Sequence, residues 1–346
     1  MKTVYFTDRS GVEQSALQSL LAFEEKENIS RIAVFPDIHY CSERSIPVGV
    51  AFHTTSVFYP LVTGKDMGCG VAYLRIPRQD LLLPFDKAKH YRAFEREVHG
   101  MTNEGLGGGN HFLSLEMSPD YLYVIVHTGS RNLGIYMYQE NCRLLSEHNP
   151  GNDWLPIELA TPNYIHEYQR VLDYAASRRK EFVYKTYDFL QRNRYVAAGT
   201  PVFADSCHNL LEFKANGVIH RKGSTQLLPD REVVIPLSMS RGSLIVKPNR
   251  WDTQIEQALW SCAHGAGRKY SRTDTLKFWH SLKKADKDAY RNRFSELLNR
   301  QGDFDSSILQ EFDFAYKDTA ALLATHPYLI HCDETQPIVT VKFTGI

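Results

Sequence analysis

Short apolar runs bounded by glycine and proline alternate along the chain with longer segments of helical periodicity. The runs at 32–35 and 121–126 are continuous and short, which is typical of buried strands. Residues 164–190 instead carry apolar side chains three and four positions apart, which predicts one or two long helices that cover a sheet. The pattern therefore mixes strands and helices. Other predicted strands lie at 3–7, within 46–62, and at 233–237, 243–246 and 338–343, and other predicted helices at 12–28, 81–101, 275–300 and 308–323.

Composition excludes several classes of protein. The 346 residues include 40 Lys plus Arg and 40 Asp plus Glu, so any contact with nucleic acid needs a local basic patch. The six cysteines form no Cys-x-x-Cys pair, which argues against a zinc ribbon or a disulfide framework. The sequence has no apolar N-terminal signal segment and no run of about 18 apolar residues. We therefore expect a cytoplasmic protein without a membrane span.

Glycine-rich turns beside predicted strands carry side chains that can bind metals or transfer protons. The turn KDMGCGV contains Asp66 and Cys69, GLGGGNHF contains Asn110 and His111, and HTGSR begins at His127. Any one of them is also explained as a tight turn around a buried side chain. Three such turns, joined by a fourth nearer the C-terminus, are not easily explained by turn chemistry alone.

Five candidate metal ligands occur in these turns and in the segment SCHN, namely Asp66, Cys69, His111, His127 and His208. Five donors exceed one tetrahedral site and fit two ions that share a thiolate. The mixture of oxygen, sulfur and nitrogen suits Mn²⁺, Zn²⁺, Fe²⁺ or Co²⁺, and the order of affinities does not choose among them.

The fourth turn, SCAHGAGRKYSR, places His264 before Gly265, Ala266 and Gly267. Backbone N–H groups in such a run can bind an anion. Arg268 and a second arginine four residues later would share one face of a helix that started after the glycines. His264 itself is a candidate nucleophile or general base. These residues indicate a metal-dependent enzyme that acts on phosphate, although a buried turn with two solvated arginines is an alternative for this segment alone.

Two other polar groups are ambiguous in the sequence. Asp37 lies in PDIH, just past a predicted strand, where a carboxylate serves either chemistry or a turn. The cluster Arg178-Arg179-Lys180 is expected to be a solvated helix face, and an RNA-facing surface is the alternative.

The chain resembles the RtcB family of GTP-dependent RNA ligases, which join RNA 3′-phosphate or 2′,3′-cyclic phosphate ends to 5′-hydroxyl ends. The resemblance rests on the motifs PDIH, DMGCGV, GLGGGNHF, HTGSR, VIHRKGST and CAHGAGRKYSR, which occur in this order. It implies a single α+β domain over residues 1–346, with mixed β-sheets around a metal site and helices at the flanks. A helical insertion is expected at about 164–192 and a helical C-terminal segment at about 275–325.

The resemblance also implies two Mn²⁺ ions. Asp66, Cys69 and His111 resemble the ligands of one ion. Cys69, His127 and His208 resemble those of the second, so that the thiolate bridges the two.

His264 corresponds in this resemblance to the histidine that accepts GMP from GTP. The residues expected near the nucleotide or its phosphates are Asn110, Arg131, Ser238, Ser243, Gly265, Ala266, Gly267, Arg268, Glu116 and Lys342. Those expected to face RNA are Arg272 and Asp37.

The chain departs from the family pattern near the expected guanine. Ser114 stands where the family usually has a glutamate, and Glu116, two residues on along the same strand face, can take its place. The family usually ends in Lys-Gly, whereas Lys342 is followed here by the sequence FTGI. We therefore expect a divergent branch with a narrower RNA substrate, and the preference between GTP and ATP stays open.

Three functions fit the pattern to different extents. The first is ligation in RNA repair or tRNA splicing by a monomer whose accessory protein, if any, is unidentified. The second is a Mn²⁺-dependent 2′,3′-cyclic phosphodiesterase, which would use His264 only as a base and would not need GTP. The third is a non-catalytic RNA-end-binding protein, which would need neither His264 nor the metal ligands.

Overall fold

The structure is a computed structural model, and it describes residues 2–26, 28–41, 46–298, 304, 306–317 and 320–342. The described strands are, in chain order, β1 (Thr3–Tyr5), β2 (Ile29–His39), β3 (Val48–Thr54), β4 (Val57–Phe58), β5 (Gly70–Pro77), β6 (Phe112–Met117), β7 (Tyr121–Thr128), β8 (Leu155–Pro156), β9 (Val202–Cys207), β10 (Asn209–Lys214), β11 (Gly217–Lys222), β12 (Ser224–Gln226), β13 (Val233–Ser238), β14 (Gly242–Pro248), β15 (Ser261–Ala263), β16 (Leu329–Glu334) and β17 (Gln336–Lys342).

The helices cover the sheets, as the periodicity predicts. The described helices are α1 (Gln14–Glu24), α2 (Lys87–Gly100), α3 (Asn132–His148), α4 (Pro162–Arg192), α5 (Gln254–Gln257), α6 (Arg272–Ser281), α7 (Lys284–Leu298), α8 (Ser306–Leu309) and α9 (Ala320–Ala324). The segment expected to form one or two helices is the single helix α4, whereas the helix expected at 275–300 is divided into α6 and α7. Within the described ranges, no helix is long and apolar enough to cross a lipid bilayer.

One of the two five-stranded sheets is mixed, and the other is antiparallel. One five-stranded sheet has the order β1-β2-β3-β11-β10, with β1 and β2 parallel and its other neighbours antiparallel. The other five-stranded sheet, β17-β6-β7-β5-β9, is antiparallel throughout. Smaller sheets pair β13-β14-β16, β12-β15 and β4-β8. The prediction of an α+β fold with mixed sheets and flanking helices is confirmed.

No helix starts directly after the glycines of the fourth turn. α6 begins only at Arg272, where the hydroxyl of Ser271 caps it by accepting a hydrogen bond from the Asp274 N–H. Arg268 lies before the helix and forms an isolated β-bridge with Tyr316. The two arginines therefore do not share a helix face, and the side chain of Arg272 lies outside the described part of the chain.

Strand register in the antiparallel sheet explains why distant turns meet. Gly70, at the start of β5, pairs with Thr128 at the end of β7 and with Cys207 at the end of β9. Phe112, at the start of β6, pairs with His127. Because antiparallel neighbours place the start of one strand beside the end of the next, the turns that flank these strands lie at one edge of the sheet.

Helix α4 spans two separate apolar clusters. Its first half contributes Tyr168 and Val171 to a cluster that includes side chains of β2 and β3. Its second half contributes Phe182 and Leu190 to a cluster built on β5, β6 and β7. The middle of the helix therefore lies between the two apolar clusters. The helix packs against β5, β7 and β9, whose flanking turns meet at one edge of the sheet.

Candidate metal centre and adjoining pocket

Buried thiol and imidazole groups converge at this edge of the sheet. The Cys69 Sγ atom lies 3.4 Å from His111 Nε2 and 3.2 Å from His127 Nε2. The Nε2 atoms of His127 and His208 are 3.3 Å apart. Cys69, His111 and His127 each offer a ligand atom, and these atoms all lie within 4.8 Å of one another. The structure thus brings together four of the five ligands that the sequence indicates.

The fifth predicted ligand, Asp66, lies beside His111. Its Oδ2 atom is 3.3 Å from His111 Nε2. Burial would raise the pKa of this carboxyl, but the hydrogen bonds and charge of His111, together with a hydrogen bond from Cys69, lower the pKa to about 2. Asp66 therefore remains a carboxylate at neutral pH and can act as an anionic ligand.

The protonation states of the buried donors fit a bound cation. Burial lowers the pKa values of His127 and His208 well below the usual range, so both rings are neutral ligands. The His127 Nδ1–H group donates to the Asn110 carbonyl over 3.2 Å, which leaves the lone pair of Nε2 facing His208 and Cys69. Burial raises the pKa of the Cys69 thiol well above its usual value, so a nearby cation is what would hold it as thiolate. The donor set fits one or two borderline divalent ions.

Two glycines make this convergence possible. A Cβ atom at Gly107 would lie 2.4 Å from His111 Nδ1, and one at Gly129 would lie 2.3 Å from Asp66 Oδ1. Both distances are far below van der Waals contact, so any side chain at either position would displace a donor. This close approach is the physical basis of the glycine signal in the sequence.

His264 stands next to the cluster at the end of β15, and a carboxylate orients it. The His208 and His264 ring centroids are 5.0 Å apart. The Asp37 Oδ2 atom accepts a 2.8 Å hydrogen bond from the His264 backbone N–H and a second one from its ring Nδ1. Burial would lower the pKa of His264, but Asp37 and the Gly223 backbone outweigh it and raise the pKa. With Nδ1 bonded to Asp37, Nε2 is the nitrogen that can react.

The expectation that Asp37 faces RNA is wrong. Asp37 is fully buried, and its carboxylate is enclosed by the turn that carries His264. Gly267 covers it so closely that a Cβ there would lie 2.6 Å from the Asp37 Cα atom. The carboxylate thus serves to hold His264, a role that its position after a predicted strand does not reveal.

A pocket opens beside His264. The predicted nucleotide-binding residues that line it are Asn110, Glu116, Ser238, Gly265, Ala266 and Lys342. Those outside its lining are Arg131, Ser243, Gly267 and Arg268.

Other contacts account for two of the residues outside the lining. Arg268 donates to the Gln310 carbonyl at 2.8 Å and to the Thr275 hydroxyl at 3.0 Å, so its guanidinium holds the C-terminal segment. Ser243 is fully buried, and its backbone N–H donates a 2.9 Å hydrogen bond to the Thr335 hydroxyl. Arg131 adopts a positive φ of 53°, a strained conformation typical of residues at functional sites.

Two buried carboxylates line the same pocket. Glu116 accepts a 2.6 Å hydrogen bond from the Ser114 hydroxyl and another from the Thr335 hydroxyl. Burial raises the pKa of Glu116 despite these bonds. Glu311 forms a 2.9 Å ion pair with Lys342. The sequence does not single out Glu311, because one glutamate within a charged helical segment carries no distinguishing signal.

The cluster expected to be a solvated or RNA-facing helix surface is buried at two of its positions. Arg178 and Arg179, in the middle of α4, are both nearly inaccessible. Arg178 donates to Glu104 at 2.9 Å and to the Gly105 carbonyl at 2.7 Å, at the start of the glycine loop that carries His111. The prediction for these two arginines is wrong, because the helix passes between two cores and its polar middle faces the site turns.

Comparison with known proteins agrees with the motifs. A sequence model of the RtcB family, described as tRNA-splicing ligase RtcB, matches residues 83–342. The chain belongs to the RtcB family. The matched range contains His111, His127, His208 and His264, and begins after Asp66 and Cys69.

Two curated RtcB relatives align over nearly the whole chain, and a third aligns over part of it. The RNA-splicing ligase RtcB2 of Escherichia coli strain ATCC 25922 is 28% identical, and the alignment covers 98% of this chain and 95% of the relative. The RNA-splicing ligase RtcB of E. coli K12 is 24% identical over 96% of this chain and 95% of the relative. A tRNA-splicing ligase RtcB from Nanoarchaeum equitans is 25% identical over 62% of this chain and 53% of the relative. The predicted RtcB membership is therefore confirmed.

Proposed function

We propose that this RtcB-family chain is an RNA ligase that joins RNA 3′-phosphate or 2′,3′-cyclic phosphate ends to 5′-hydroxyl ends. The observation that carries the proposal is the position of His264, which is oriented by Asp37, stands 5.0 Å from the ring of His208 and borders the pocket. A non-catalytic RNA-binding protein has no use for a histidine oriented in this way beside a cluster of metal donors. In this proposal residues 1–346 form one domain, in which α4 is the helical insertion and residues 275–325 the C-terminal helical segment.

The donor cluster would hold two Mn²⁺ ions. In this proposal Asp66, Cys69 and His111 bind one ion, and Cys69, His127 and His208 bind the other. Ions held there would withdraw charge from the phosphate oxygens that face them. The buried surroundings strengthen that interaction by excluding water.

His264 would act as the nucleophile toward GTP. Its Nε2 atom attacks the α-phosphorus, an N–P bond forms and pyrophosphate leaves. An oxygen of the RNA 3′-phosphate then attacks the same phosphorus, so the N–P bond breaks and GMP passes to the RNA. Attack by the 5′-hydroxyl on the activated 3′-phosphate forms the new phosphodiester and releases GMP. A 2′,3′-cyclic phosphate must first be opened by water.

Asp37 would keep His264 in the tautomer that this attack requires. Because Nδ1–H donates to the carboxylate, the lone pair lies on Nε2. Asp37→Asn should lower the rate of guanylylation by about 10²- to 10⁴-fold, because an amide can also stabilise the opposite tautomer. Mn²⁺ binding should be retained, since Asp37 does not touch the donor cluster.

The measurement for Asp37→Asn is single-turnover labelling with α-³²P-GTP, beside titration calorimetry with Mn²⁺. Asp230→Asn is the matched control, because that side chain is 75% exposed. An Asp37→Asn protein that is labelled at the wild-type rate would contradict the orienting role.

Glu116 would recognise the base of the nucleotide. Its carboxylate lines the pocket and can accept further hydrogen bonds besides those from Ser114 and Thr335, as the N1–H and N2–H groups of guanine would require.

Glu116→Gln should raise KM for GTP by about 10- to 100-fold with little change in kcat, because a charge-assisted hydrogen bond is lost. Steady-state labelling at varied GTP and ATP checks this, with Glu334→Gln on the exposed end of β16 as the control. An unchanged KM for GTP would count against Glu116 as the base contact.

A further inference from the structure

One buried guanidinium contacts three segments that carry metal donors. The Arg179 Nη1 atom donates to the Gly68 carbonyl at 2.7 Å and to the Thr128 carbonyl at 3.0 Å. Its Nε and Nη2 atoms donate to the two oxygens of Asp205. The side chain of Arg179 is 1% exposed, so these bonds form away from bulk water.

Each contacted group lies close in sequence to a donor. Gly68 precedes Cys69, and Thr128 follows His127. Asp205 lies in β9, the strand that ends just before His208. The three donors that Arg179 reaches in this way are those proposed for one of the two metal ions.

The sequence leaves room for the guanidinium at one glycine. A Cβ atom at Gly70 would lie 3.0 Å from Arg179 Cζ and 2.1 Å from the Ser206 carbonyl oxygen. A side chain at Gly70 would therefore push both Arg179 and β9 away from β5. Turn geometry does not explain Gly70, the second glycine of DMGCG, because this residue already lies in β5 and is paired with β9. The close approach of Arg179 and β9 does explain it.

Backbone pairing links these segments only in part. The His208 N–H donates to the Cys69 carbonyl at 2.9 Å, which sets the distance between two of the donor segments. Arg179 connects all three donor segments through one planar guanidinium. Its Nη1 atom bridges the Gly68 and Thr128 carbonyls, and its Nη2 atom donates to the Asp205 carboxylate. A lysine has one ammonium on a flexible stem and cannot satisfy this set of acceptors.

We propose that Arg179 is a positioning residue of the metal centre, which sets the separation of Cys69, His127 and His208 through the carbonyls of Gly68 and Thr128 and through Asp205. The inference rests on the proposed function for the presence of metal at this centre. It adds a requirement that lies on α4, outside the turns that supply the donors. A helix whose middle is polar and buried thus becomes part of the site.

The test compares metal binding by wild-type protein and Arg179→Lys. Calorimetric titration of the metal-free full chain with Mn²⁺ should show an affinity about 10- to 100-fold lower in Arg179→Lys, the usual effect of losing a residue that orients metal ligands. Arg170→Lys, on the same helix and 61% exposed, should bind Mn²⁺ like the wild type. Titration with Co²⁺ gives a second readout, because the thiolate-to-cobalt absorption depends on ligand geometry and should shift only in Arg179→Lys.

The outcomes separate this inference from the proposed function. Arg179→Lys protein that folds and keeps the wild-type Mn²⁺ affinity and Co²⁺ spectrum would overturn the positioning role alone, since a merely stabilising residue changes neither. If Arg179→Lys does not fold, Asp205→Asn replaces it, with an expected loss of about 10-fold and the same reading of an unchanged result. Wild-type protein that binds neither ion would overturn both the metal centre and this inference.

Discussion

Replacing His264 by alanine should abolish covalent labelling by GTP while metal binding persists. We expect the acid-labile label formed with α-³²P-GTP and Mn²⁺ to fall by at least about 10⁴-fold, because the substitution removes the attacking atom rather than a supporting contact. Mn²⁺ affinity should stay near that of the wild type, since His264 is not among the proposed donors, and Cys69, His111 and His127 keep their ligand atoms within 4.8 Å of one another. Denaturing gels with acid treatment, beside calorimetry, measure both quantities.

A matched control for His264→Ala is His166→Ala, whose side chain on α4 is 71% exposed. It should be labelled like the wild type. A His264→Ala protein that still forms the acid-labile adduct would refute the nucleophile assignment. If the wild type binds Mn²⁺ but forms no label with GTP or ATP, the metal-dependent 2′,3′-cyclic phosphodiesterase becomes the better account. Release of a linear phosphate from a cyclic end would then be the activity to measure.

Cys69→Ala should remove metal binding and, with it, every chemical step. The Cys69 sulfur lies within 3.4 Å of the Nε2 atoms of both His111 and His127, so its loss takes a donor from each proposed ion. We expect Mn²⁺ affinity to fall by more than about 100-fold, beyond the usual effect of losing a group that only orients a ligand. Calorimetry and the labelling assay together measure this.

Cys332→Ala is the control for Cys69→Ala, because Cys332 is an exposed free cysteine. Removal of metal from the wild type with a chelator should reproduce the loss of labelling, and added Mn²⁺ should restore it. Retention of full Mn²⁺ affinity in Cys69→Ala would contradict the shared thiolate and leave His111 and His127 to be reassigned.

The sequence predicts which side chains meet at the candidate metal centre because their signal is local. Cys69, His111 and His127 each lie within two residues of a glycine, and a glycine that makes room for a ligand therefore indicates where the ligand residues are. Strand ends add a second signal, because an antiparallel sheet brings its strand ends to common edges. Both signals can be recognised within short windows of sequence.

Residues that hold the centre from a distance have no such local signal. Arg179 lies in a helix whose periodicity predicts only one apolar stripe. That pattern does not indicate which charged residues of the helix are buried between the two apolar clusters. Asp37 becomes the partner of His264 only through a contact that spans most of the chain. Glu311 reaches the pocket through an ion pair with Lys342, and that pairing depends on how the C-terminal segment folds back. These roles depend on tertiary contacts that a linear pattern does not contain.

Because α4 is continuous through both apolar clusters, we expect the two clusters to unfold together. A substitution that disrupts either cluster should therefore disturb the hydrogen bonds that Arg178 and Arg179 make with the Gly105 and Gly68 carbonyls. Substitutions in either core, far from any donor, are thus predicted to weaken metal binding at temperatures just below the global transition. Metal affinity would then report on the packing of both apolar clusters.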